Sequence, residues 1–219
     1  LVSALFACFV AMTLQRHPAW EDDGALYRDT VRHAPGSPRF LDNLASHYVS
    51  IGRPELALPL GLRALEVRPH HPGLLVHMGD IQAQVGRFAE AETSYRRALD
   101  LDGGNARAWA GLGGTRLGLG LYDDAFRYLQ KSLLLDSQLV QARHHMANAL
   151  LATGRPAKAA DEFLAILDLN PLAGRSIRPE AAAALASAGR LDEAFGQARL
   201  AVIERPGDAA AHVTLAKLY

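Results

Sequence analysis

The residues of this chain with side chains able to do chemistry are nine histidines, an acidic run and a glycine-rich stretch. His70, His71 and His77 lie near one another in sequence, as do His144 and His145. Metal ligation needs three or four converging ligands, commonly including a carboxylate or thiolate. His77 and His145 stand two 34-residue steps apart, so they are not expected to meet and no metal site is expected. Glu21, Asp22 and Asp23 could serve acid–base chemistry, but acids at a helix start are also accounted for by the helix dipole. GLGGTRLGLG at 111–120 reads as helix rather than a phosphate loop, with Leu112, Leu117 and Leu119 as packing residues. No serine lies in a nucleophile motif, and Cys8, the single cysteine, excludes an intrachain disulfide. No catalytic residue and no cofactor is therefore expected in these residues.

Composition narrows the classes further. The 219 residues carry 23 basic and 23 acidic side chains, for a formal net charge of zero, and 49% are hydrophobic. A disordered chain would be poorer in apolar residues. A nucleic-acid binder would show a basic excess to neutralise phosphates, so no nucleic-acid partner is expected.

The elements that must position any site are set by an internal repeat. Gly52, Gly86, Gly120 and Gly154 are each 34 residues apart, and Gly189 follows 35 residues later. A small residue recurs five positions on, at Ala57, Ala91, Ala125, Ala159 and Ala194. Seven residues further stand Ala64, Ala98, Ser132 and Ala201, with Ile166 the larger exception. Pro69, Gly103, Ser137, Pro171 and Pro206 close the units. Leu75, Met78, Ile81 and Val85 form one apolar stripe at helical period. Phe88, Ala91, Tyr95, Ala98 and Leu99 form a second stripe after Gly86. Each unit is thus a helix hairpin, reversed at a glycine that adopts positive φ. One hairpin cannot bury both stripes, so successive hairpins must stack.

These residues resemble tetratricopeptide repeats (TPR). The third copy supplies Trp109, Leu112, Gly113, Gly120, Tyr122, Ala125 and Leu133 of that pattern; the first supplies Leu44, Ala45, Tyr48, Gly52, Ala57, Ala64 and Pro69. The resemblance implies an all-α, right-handed solenoid. Full copies are expected at 38–71, 72–105, 106–139, 140–174 and 175–208, with an inserted residue between Pro171 and Ser176. Pro179 and Glu180 should make the fifth copy's first helix short or late. Residues 209–219 match the start of a sixth copy, and Trp20 to Pro35 resembles the second helix of a preceding half-repeat.

Residues 1–16 are expected to be the C-terminal part of a transmembrane helix, cut at its N-terminus, with 17–37 as a juxtamembrane segment. Leu1 to Leu14 carries no charge but is shorter than the roughly 20 residues of a full span. A signal-peptide core or a buried helix are the rival readings. Residues 13–44 resemble the junction before the TPR array in multi-pass GT-C-type glycosyltransferases, including TPR-containing O-mannosyltransferases. Thr13, Arg16, Trp20, Leu26, Tyr27, Asp29 and Pro35 fit, while His17 stands where asparagine is usual. That resemblance implies a membrane-anchored array outside the cytoplasm and a catalytic domain upstream of Leu1. The chain is expected to be a fragment at both ends.

In TPR arrays the first helices line a concave groove at positions 2, 5, 6, 9 and 12 of each copy. Carried across, the candidate peptide-binding residues are Arg39, Asp42, Asn43, Ser46, Val76, His77, Asp80, Arg107, Gln141, His144, His145 and Asn148. The lysines of a carboxylate clamp are missing from position 5, and only Asn43 obeys an asparagine ladder. The expected function is a membrane-tethered scaffold binding a protein or peptide. The alternative is an accessory domain of a lipid-linked glycosyltransferase.

Overall fold

A computed structural model describes residues 23–171 and 173–219. The membrane helix expected at 1–16, and the juxtamembrane residues before Asp23, lie outside the described residues. Among the described residues no helix is long and apolar enough to cross a membrane.

The chain divides into two compact units, Leu1–Asp102 and Gly103–Tyr219. The first contains α1 (Asp23–His33), α2 (Pro38–Ser50), α3 (Pro54–Val67), α4 (Pro72–Gln84) and α5 (Phe88–Leu101). The second contains α6 (Ala106–Gly118), α7 (Tyr122–Leu135), α8 (Val140–Ala152), α9 (Pro156–Leu169), α10 (Arg178–Ser187), α11 (Leu191–Glu204) and α12 (Ala209–Leu218). A 3₁₀ turn at Ala173–Ser176 occupies the segment that carries the inserted residue. The described residues thus form an all-helical array of successive hairpins. α10 begins late and has ten residues where α2, α4, α6 and α8 have thirteen.

Local signals start and stop these helices. Proline opens α2, α3, α4 and α9, where its missing N–H costs nothing. Asn105 and Asp208 cap α6 and α12 by accepting from backbone N–H groups of the first turn. Gly52, Gly86, Gly120, Gly154 and Gly189 all have φ between 71° and 78°. After each glycine, the next N–H donates to the carbonyl five residues back, at 2.8–2.9 Å in all five turns (Arg53 to Tyr48, Arg155 to Leu150 and their equivalents). This bond closes the orphaned end of the first helix.

The small-residue positions are the contact surfaces. Ala57, Ala91, Ala125, Ala159 and Ala194 are fully buried, as are Ala64, Ala98 and Ser132. Ile166 is buried as well and enlarges the core of its copy. The core of the first unit centres on Leu41, Leu44, Leu60, Leu74 and Ile81. That of the second centres on Leu129, Leu150, Phe163, Ile166 and Leu185.

The glycine-rich stretch is helical, and Leu112 and Leu117 pack inward as expected. Leu119 does not. It follows the last residue of α6, just before the positive-φ Gly120, and is 47% exposed.

A bond ladder ties the hairpins at their loops. The carbonyl that closes a unit is held in the first unit by an arginine of the following second helix: Arg63 on Pro35 at 2.8 Å and Arg97 on Pro69 at 3.3 Å. In the second unit the donor moves to the fourth position of the first helix. Trp109 Nε1 donates to Gly103 at 3.1 Å, Arg143 to Ser137 at 2.7 and 3.0 Å, and His212 Nε2 to Pro206 at 2.8 Å.

Candidate functional site

Within the first unit, α2 and α4 bring three expected site residues together. The His77 Nδ1–H donates to the Asp42 carboxylate. The other ring nitrogen, Nε2, lies 3.4 Å from Ser46 Oγ and accepts from that hydroxyl. Asp42 and Ser46 are one turn apart on α2, so both face the same strip of α4. Asp80, one turn after His77, accepts from the Tyr95 hydroxyl at 2.8 Å. Arg39 is exposed and Asn43 half-buried beside them. Val76 does not belong to this face: its aliphatic side chain is 2% exposed and turned into the packing.

The second unit repeats the arrangement with its parts exchanged. His144 Nε2–H donates to Glu180 at 2.8 Å, and its Nδ1 lies 3.4 Å from Asn148 Nδ2, which donates to it. His144 is on α8 and Glu180 on α10. The imidazole edge also meets the Phe163 ring, 5.9 Å between centroids. His145 lies over Gly114, where an added Cβ would meet its ring at 2.7 Å. Burial against that backbone, together with the neighbouring His144, lowers the His145 pKa to about 4. His145 is therefore a neutral packing group at physiological pH. Gln141 is half-buried on α8, and Arg107 is exposed at the start of α6.

Sequence reasoning assigns Glu180 only a disturbing effect on its helix, yet it is the carboxylate partner of His144. The signal is present in the repeat: Glu180 occupies position 6 of its copy, as His77 does, next to position 5 of the copy before. Each face can offer a fixed imidazole, a carboxylate and an amide or hydroxyl to a ligand backbone. Among the described residues no group of three or more His, Cys, Asp and Glu is placed to hold a metal ion.

The hairpin geometry, repeated along both units, is that of a helical repeat protein. The tetratricopeptide repeat family model matches residues 77–138 and 145–209, and the chain belongs to this family. A curated relative, cellulose synthase operon protein C of Xanthomonas axonopodis pv. citri (strain 306), is 32% identical over 191 residues, 86% of this chain. The chain spans only 11% of that relative's length. Among solved structures, a thermophilic TPR protein of Thermus thermophilus superposes with a TM-score of 0.73 at 21% identity, over 83% of this chain and 98% of that one. YrrB, a TPR protein with an unusual peptide-binding site, gives 0.55 at 20% identity, over 88% and 98%.

Proposed function

We propose that this array is a protein-interaction module whose first-helix faces bind an extended peptide of a partner protein. The observation that carries the reading is the pair of carboxylate–imidazole relays, Asp42–His77–Ser46 and Glu180–His144–Asn148, at positions 5, 6 and 9 of their copies. A fixed imidazole with an oriented donor or acceptor beside it suits hydrogen bonding to a peptide backbone, with small pockets for side chains. The peptide-binding site of YrrB, a protein of the same fold, supports it. The test is selection of dodecapeptides from a displayed library on the intact chain, followed by binding of the enriched sequences to Asn43→Trp and Asn148→Trp. At least tenfold weaker binding by one or both variants is expected. Unchanged binding by both, or no enrichment, overturns the reading.

A second reading concerns the longer protein. The sequence at 13–44 supports a membrane-tethered, extracytoplasmic array serving as accessory domain to a lipid-linked glycosyltransferase. The relative named for a cellulose synthase operon also supports a role beside polysaccharide synthesis. The coding sequence upstream of Leu1 tests it: many apolar spans with an acidic pair in an early outer loop are expected. A single span or none sinks it.

A further inference from the structure

A cleft of about 480 Å³ opens on the second unit, away from the His144 relay. Its floor is Met146 and Leu150 of α8, both largely buried, and the Phe126 ring of α7 forms one wall. Arg155 and Lys158, at the start of α9, also line it. The Arg155 guanidinium sits 5.3 Å above the centre of Phe126. A guanidinium held over a ring can still donate its N–H groups to a further partner.

The charges of the lining are unequally satisfied. Asp161 pairs with Arg190 at 2.7 Å, and Glu162 with Arg143 at 2.7 Å. The nearby Arg127 pairs with Asp124, not with Asp123. Two of the three lining carboxylates, Asp161 and Glu162, are thus matched by arginines from outside the cleft, which leaves Asp123 against two lining cations. Among the described residues neither Arg155 nor Lys158 has an ion-pair partner. Two unpaired cations above an apolar floor complement an anionic group joined to an apolar one.

We propose that this cleft is a second binding site, for a partner-protein segment carrying a glutamate or aspartate beside an aliphatic or aromatic side chain. The apolar side chain rests on Met146 and Leu150 against Phe126, and the carboxylate lies between Arg155 and Lys158. The site is separate from the first-helix faces and does not depend on them.

The probe is a fluorescein-labelled octapeptide of alternating glutamate and leucine, compared by anisotropy with its glutamine–leucine counterpart. At least tenfold tighter binding of the acidic peptide is expected, lost in the Arg155→Ala/Lys158→Ala double variant and kept in Asn148→Trp. Lys158→Glu, an exposed change, gives the same loss if the double variant folds poorly by circular dichroism. A photo-crosslinking residue at Gln130, on the cleft wall, should capture the acidic peptide. Equal affinity for the two peptides, no binding, or loss only in Asn148→Trp overturns the proposal. The last outcome would leave the first-helix reading standing and remove this one.

Discussion

The indole N–H of Trp109 donates to the backbone carbonyl of Gly103, 3.1 Å away, and so ties α6 to the loop that precedes it. The Trp109 ring also meets Tyr128 of α7, with centroids 5.7 Å apart. Trp109→Phe keeps an aromatic ring and deletes the donor. A loss of about 1 kcal/mol in urea unfolding is expected, the net worth of one hydrogen bond. An unchanged midpoint would mean that solvent serves the carbonyl equally well.

Three glycines of the second unit should answer alanine differently. At Gly113 the new Cβ would meet Leu129 at 2.6 Å, a misfit expected to cost about 1–3 kcal/mol. At Gly120 there is space, but φ is 73°, and the strain on an L-residue is about 1–2 kcal/mol. Gly196 lies inside α11 with nothing within 4 Å, so alanine should stabilise by roughly 0.5–1 kcal/mol. Denaturation midpoints at constant slope give all three; a destabilised Gly196→Ala would contradict the register of α11.

Acid should weaken the fold through His145. Its folded pKa, about 4, lies below the ordinary 6.5, so the folded state favours the neutral ring. The contribution is complete above about pH 6.5 and is lost as pH falls towards 4, by about 2–3 kcal/mol. Comparing unfolding free energies at pH 7 and pH 4 for the wild type and His145→Gln isolates it. The variant should show a smaller acid loss; parallel profiles would remove His145 from the account.

Asp42 and His77 should be coupled. Removing either strands a partly buried polar partner, at a cost of about 1–2 kcal/mol, while the double change costs less than the sum. A double-mutant cycle with Asp42→Ala and His77→Ala measures this. An additive cycle would show that the bond adds nothing to stability.

Much of the architecture is legible because the repeat compares each position with itself. Glycines 34 residues apart mark turns that share one φ, and the alanine positions mark contacts with no room for a larger side chain. What periodicity does not reveal is pairing between copies. Glu180 reads as a helix disturbance because its partner, His144, lies 36 residues away on another helix. Val76 is misplaced because the position rule is blind to side-chain chemistry: an aliphatic group at a groove position turns inward. Leu119 fails for a local reason, standing past the last helical residue, where the helical period no longer applies.

The two relays differ in orientation as well as in membership. In the first unit the acid belongs to the earlier helix and binds Nδ1; in the second the imidazole comes earlier and the acid binds Nε2. The two imidazoles are thus held as opposite tautomers, one with its acceptor nitrogen at Nε2 and the other at Nδ1. A ligand group that suited position 5 of one relay, an acid, would meet an imidazole at position 5 of the other. Duplication here multiplied the scaffold without multiplying the code, and a tandem ligand motif is a poor design for it.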